Sequence, residues 1–116
     1  MSHFVYMLRC QGSRIYTGYA VDVAARFEQH RNGKGAKFTK AFPPECILRY
    51  FVLEEKGAAL RLEARIKKMP RPQKELLAQG CREILEMLSE ELGFAITDGG
   101  NDPSEKSDGL SKKDLP

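Results

Sequence analysis

Five side chains spread over residues 6–63 are of the types that handle phosphate esters: Tyr6, Tyr16, Arg26, His30 and Glu63. An arginine grips a phosphate through two parallel N–H groups. A single carboxylate suits Mg²⁺ (or Mn²⁺), which keeps most of its waters and takes a phosphate oxygen as a further ligand. Such a metal polarises the phosphoryl oxygen and stabilises the leaving oxygen. A phenol could orient or deprotonate the attacking water, but at a cost. A tyrosine of pKa about 10 is ionised roughly once in a thousand molecules at pH 7, and making it a base takes about three units, near 4 kcal/mol. Arg26 and a metal are the available sources of the positive field that this requires. Each residue alone has a plainer reading: partly buried aromatics, a solvated helix face, a carboxylate paired with Lys67 one turn away.

The elements around these residues decide whether they can meet. "HFVYMLRC" and "IYTGY" alternate like strands on either side of the turn "QGSR". A hairpin with a five-residue loop, Cys10 to Arg14, sets Leu8 opposite Tyr16 and Tyr6 opposite Gly18. The two tyrosines then share one side of the sheet as diagonal neighbours. Gly18, without a side chain, leaves room over the backbone opposite Tyr6. A slip of one residue would send the tyrosines to opposite faces.

Asp22 is placed to cap a helix over about residues 23–31. Val23 and Phe27 line its apolar stripe, with Arg26 and His30 four apart beside it. "NGKGAKFTKAFPPE" reads as a loop by its glycines and prolines. Its Lys34, Lys37, Thr39 and Lys40 are candidates for contact with a nucleic-acid backbone. "CILRYFVLEE" is a third strand. From Gly57 to Lys68, Ala59, Leu62, Ile66 and Met69 form one helical face, and Glu63 falls within that face. A carboxylate there must be paired, bind a metal or face a cleft, because burying it alone is costly. Pro70 ends the helix. A short helix follows in "RPQKELLAQG", and an amphipathic one in "CREILEMLSEELG".

The chain has 116 residues and a net charge of +3 that hides an asymmetry. Residues 1–82 carry 16 Lys and Arg against 7 Asp and Glu, net +9; residues 83–116 carry 3 against 9, net −6. A basic domain attracts polyanions, of which nucleic acid is the commonest. The acidic end, from about Thr97, has little apolar content and is expected to be a disordered tail. No apolar run approaches the about 18 residues that a membrane-spanning helix needs. The N-terminus lacks the features of a signal peptide, so a cytoplasmic protein is expected. Cys10, Cys46 and Cys81 are odd in number and form no CxxC pair, which suits reduced thiols.

In this order and spacing, "VYM" at 5–7, "YTG" at 16–18, Arg26, His30 and Glu63 resemble the GIY-YIG endonuclease family. The segments "GKGAKFTK" and "LRLEARIKKM" are similar to its small standalone bacterial members. The resemblance covers roughly residues 3 to 80. It implies an α/β (α+β) fold, a small three-stranded antiparallel sheet flanked by helices. The domain would span 1–80, with a helical extension over 81–96 and the acidic tail over 97–116. It also implies metal-dependent hydrolysis of DNA, with Tyr6 and Tyr16 as the active-site tyrosines and Arg26 on the scissile phosphate. His30 would assist proton transfer and Glu63 would be the metal ligand. The chain departs from the family pattern: "GIY" reads "VYM" and "YIG" reads "YTG", although the tyrosines and Gly18 remain, and where many members carry an asparagine near the domain's end, "IKKMPRPQKELLA" has none.

The leading expectation is therefore a structure-selective DNA endonuclease of low sequence specificity, acting in DNA repair or recombination as a monomer or weak dimer. RNA is the other candidate polyanion. The alternative is a catalytically silent nucleic-acid-binding module that works with a protein partner. A third reading makes the helix at residues 82–93 and the acidic tail a protein-docking surface.

Overall fold

The computed structural model describes residues 1–101. Strands β1 (His3–Cys10) and β2 (Arg14–Ala20) form the hairpin. The register sets Leu8 opposite Tyr16 and Tyr6 opposite Gly18, as the alternation requires. Cys10 also pairs with Arg14, so the turn shrinks from the expected five residues to Gln11, Gly12 and Ser13. Gly12 and Ser13 both take positive φ there, at 77° and 61°, the conformation a tight hairpin demands.

Helix α1 (Val23–Arg31) starts where Asp22 accepts a hydrogen bond from the Ala25 amide. The segment expected as loop holds a short helix, α2 (Lys37–Ala41). Five residues carry too little periodicity to be read from sequence, and α2 is held instead by tertiary contacts. Phe38 packs 5.3 Å from Phe42 one turn on, and the side chain of Thr39 is buried against α1.

Strand β3 (Pro44–Leu53) lies beside β1, and β4 (Thr97–Gly100) beside β3, so the antiparallel sheet runs β2-β1-β3-β4. Four strands replace the expected three, and residues 97–100 belong to the sheet rather than to the tail. "TDGG" has almost no intrinsic strand preference. Two contacts fix it: Arg49 Nη1 donates to both Asp98 carboxylate oxygens, at 2.7 and 2.8 Å, and Gly99 lies against the Tyr50 ring, where a Cβ would come within 2.2 Å of a ring carbon. The remainder of the expected tail, 102–116, lies outside the described residues.

Helices α3 (Lys56–Lys67), α4 (Arg71–Ala78) and α5 (Arg82–Leu92) complete the fold. The pleat divides the interior in two. Val5, Met7, Phe51 and Leu53 point to a core closed by Leu62, Ile66, Leu77, Leu85 and Leu88 of α3–α5. The intervening residues Tyr6, Leu8, Cys10 and Tyr50 point to a second cluster with Val23, and Phe27 and Phe42 pack against it. α5 shares the first core with the strands. None of the described helices is long and apolar enough to cross a membrane. All three cysteines are free, and burial pushes the Cys10 thiol up to about 11, which leaves it inert at neutral pH.

Candidate active site

The second cluster carries the polar residues. On the β1–β2 hairpin the Tyr6 and Tyr16 rings lie 6.3 Å apart on one face. The absence of a side chain at Gly18 is what lets them lie there: a Cβ would stand 2.4 Å from the Tyr6 hydroxyl and 3.0 Å from the Tyr16 ring. α1 packs His30 between them and the loop. Its ring centre is 5.8 Å from that of Tyr6 and 5.1 Å from that of Tyr16.

His30 and Tyr6 are each only 1% exposed, and both are fully hydrogen-bonded. Tyr6 Oη is 2.7 Å from His30 Nε2, and His30 Nδ1 is 2.7 Å from Thr39 Oγ1. Thr39 donates its own hydroxyl to the Ala36 carbonyl at 3.0 Å. That last bond orders the others. With its proton given to Ala36, Thr39 can only accept from His30, so Nδ1 carries the proton. Nε2 of the neutral ring is then an acceptor, and Tyr6 donates to it. The result is a directed chain, Tyr6 to His30 to Thr39 to the backbone of α2.

Electrostatics keeps the chain in that state. Burial, and then the Arg26 charge, lower the His30 pKa to about 4, so the ring is neutral at physiological pH. Burial foremost, then the nearby Tyr16, raises the Tyr6 phenol well above the ordinary tyrosine value. Arg26 opposes that rise and Glu63 adds to it, which places both charges within range of the phenol. The proton therefore rests on Tyr6, and Tyr6 in this state is a donor, not a base.

The other site residues are more open. Arg26 is half-buried and its guanidinium reaches Gln29 at 2.8 Å. Glu63 lies within the apolar face of α3, flanked by buried Ala59, Leu62 and Ile66, with its side chain 18% exposed. It is paired at 3.0 Å with Lys67, the partner one turn on, whose side chain is 49% exposed. The Lys67 ammonium also sits 5.7 Å from the centre of the Tyr16 ring. The structure thus gathers Tyr6, Tyr16 and His30 in direct contact, with Arg26 reaching the Tyr6 phenol by a hydrogen bond as well as by charge and Glu63 acting on it through charge.

Glu63 has the chemistry of a one-carboxylate metal ligand. A mostly buried oxygen donor whose ion pair is with a mobile lysine fits Mg²⁺, a cation that keeps several waters. Among the described residues no group of three His, Cys, Asp or Glu gathers to cage a metal, so a cation at Glu63 would draw its other ligands from water and substrate.

Of the loop residues, Lys34, Lys37 and Lys40 are exposed. Thr39 is not available to a nucleic-acid backbone: it is 1% exposed and its hydroxyl is committed to His30 and Ala36. Its position is a correction to the sequence expectation and also the main residue that reading missed. Gly35 was missed for the same reason, since a Cβ there would lie 2.1 Å from His30 Nδ1. Nothing in the spacing of "HRNGKGAKFT" announces that the loop folds back onto the histidine nine residues earlier.

The model of the GIY-YIG catalytic domain matches residues 2–76. UPF0213 proteins of Staphylococcus aureus strains Mu50 and COL are 45% identical over 73 residues, which span 63% of this chain and 89% of theirs. The solution structure of a UPF0213 protein from Bacillus halodurans is 37% identical, covering 77% of this chain and 98% of that one, with a TM-score of 0.45. With about two thirds of its 116 residues matched, and with the two tyrosines and Gly18 inside the matched region, the chain belongs to the GIY-YIG family, a family of nuclease type.

Proposed function

We propose that this protein is a metal-dependent endonuclease that hydrolyses phosphodiester bonds in DNA. The observation that carries the reading is the directed chain from Tyr6 through His30 to Thr39, whose Tyr6 end lies within range of Tyr16, Arg26 and Glu63. A buried imidazole with one fixed proton and one acceptor nitrogen is a device for taking and returning a proton. Packing alone gives no reason to bury it.

The residues divide the work. Arg26 binds the scissile phosphate, and in doing so its charge is neutralised. The smaller of the two causes that depress His30 is thereby offset while burial, the larger, remains, and the phosphate's own negative charge favours the imidazolium. His30 then becomes able to accept the Tyr6 proton through Nε2 while Thr39 holds the ring in place, and the Tyr6 phenolate so formed takes the proton of the attacking water. Tyr16, in edge contact with His30, faces the same space and orients the attacking water. Glu63 would hold a divalent cation, which when bound supplies charge stabilisation at the phosphoryl and leaving oxygens. Lys67 must release Glu63 for that, and its exposure makes the exchange cheap.

The exposed Lys34, Lys37 and Lys40 add backbone contacts that carry no sequence information. Preference for a DNA structure over a sequence follows, and DNA repair or recombination in the cytoplasm is the setting that suits it. The nuclease unit is assigned to residues 1–80, with 81–96 as a helical extension.

The second reading is a nucleic-acid-binding module without turnover, working with a partner. It is favoured by the Glu63–Lys67 pair and by the lack of asparagine in "IKKMPRPQKELLA". Nicking of supercoiled plasmid in Mg²⁺, run beside Glu63→Gln, separates the two. Cleavage by the native protein alone supports the enzyme. Equal nicking by both preparations marks a contaminant and removes the assignment, and salt-dependent binding without cleavage selects the module.

A further inference from the structure

A cleft of about 230 Å³ opens beside the candidate site, lined by Arg14, Ile15, Phe38, Arg71 and Lys74. The two share a wall, because Phe38 also packs 5.7 Å from the Tyr16 ring. β2 delivers Arg14 and Ile15 immediately before Tyr16, and the first turns of α4 deliver Arg71 and Lys74.

The charge of this cleft is one-sided. The carboxylate paired with its rim is Glu75, which meets Arg71 at 3.3 Å but is already held bidentately by Arg9 at 2.8 and 3.1 Å. Arg71 also donates to the Ser13 carbonyl, which fixes the guanidinium at the rim. The Arg14 guanidinium sits over the Phe42 ring at 3.8 Å and donates to the Gln11 carbonyl at 3.2 Å, its one hydrogen bond among the described residues. Lys74 is half-buried, and its ammonium makes no hydrogen bond or ion pair with any described residue. Three cations around one hollow repel each other. An anion seated between them relieves that repulsion.

We propose that this cleft is a second phosphate site, holding the backbone phosphate of a nucleotide that flanks the one being cut. The proposal rests on the nucleic-acid reading of the neighbouring site. It assigns Arg14, Arg71 and Lys74 to substrate positioning, with Phe38 as the partition between the held phosphate and the reacting one. Arg71 and Arg14 are anchored, so their forks are preorganised for a phosphate. Lys74 supplies a free point charge.

The test is fluorescence anisotropy of a short fluorescein-labelled DNA duplex and of its single strand, together with cleavage kinetics. The variants are Arg14→Gln, Lys74→Gln, their double and Lys74→Arg. Loss of both charges should weaken binding of at least one probe about tenfold. It should also flatten the dependence of log K on log salt by about 0.7 to 0.9, one phosphate contact's worth. KM should rise by a similar factor while kcat holds within about twofold. Lys74→Arg, which keeps the charge, should bind like the native protein. Wild-type affinity and salt slope in the double variant overturn the proposal. If the native protein binds but does not cut, the catalytic reading fails and the salt slopes still decide the cleft. If it cuts and the double variant keeps its KM, the cleft fails alone. No binding of either probe by the native protein at low salt overturns both.

Discussion

The two halves of the candidate site are built differently. Tyr6, His30 and Thr39 are sealed between sheet, α1 and α2, each at about 1% exposure, and their hydrogen bonds run in one direction. Arg26, Glu63 and Lys67 stand at the margin on long side chains, held by local pairs at 2.8 and 3.0 Å. The first half has one arrangement, because rotating any member would leave a buried polar atom without a partner. The second half can exchange partners, since a one-turn ion pair with an exposed lysine is worth only a few tenths of a kcal/mol. On the proposed reading, the fold fixes in advance the groups that would handle protons and leaves loose the groups that would accept a substrate and a metal.

That contrast predicts opposite responses to substitution. Glu63→Gln should lower cleavage kcat about 10³-fold, the worth of several kcal/mol of charge stabilisation, yet leave the urea midpoint nearly unchanged. A large loss of stability would mean that Glu63 is structural and the open half is misassigned.

His30 should show itself in the pH dependence of stability. Its pKa is about 4 in the fold against 6.5 for an ordinary histidine. The unfolded chain therefore binds the proton first as pH falls. The stabilisation is fully present above pH 6.5 and is lost as pH falls through 4. Between pH 7 and pH 4 the native protein should lose about 3 kcal/mol more than His30→Gln does, measured by urea unfolding of both at each pH. Parallel losses would mean that the imidazole is not held neutral.

Thr39→Val removes the acceptor for His30 Nδ1–H inside the fold and should cost about 1–3 kcal/mol. Thr39→Ser should restore most of it, since the hydroxyl is what the chain uses. Lys67→Met, on the open side, should change stability by less than about 0.5 kcal/mol. It should also lower the Mg²⁺ concentration needed for half-maximal cleavage, because it frees Glu63.

Much of this arrangement was legible in the sequence where local rules and fold agree. Alternation around "QGSR" determined the register that puts Tyr6 and Tyr16 on one face, and a glycine opposite Tyr6 marked the space they fill. Asp22 announced α1, and Glu63 stood out because it interrupted an apolar stripe. What escaped was made by contacts distant in sequence. α2 exists because Phe38 and Thr39 pack on Tyr16 and His30, and β4 because Arg49 and Tyr50 hold two glycines and an aspartate. Thr39 looked like a loop residue free to touch DNA, and only the fold turns it inward. The cleft at Arg14 and Lys74 joins residues sixty positions apart and left no motif.

The central claim is that the sealed half and the open half serve one reaction, and a double-mutant cycle of cleavage tests it most directly. Single-turnover rates are compared for the native protein, Glu63→Gln, His30→Gln and the double variant, each checked to be folded. Residues that act as a unit are strongly non-additive. The account predicts that the double variant is about as slow as the slower single variant. Losses that multiply would show two independent contributions and contradict it.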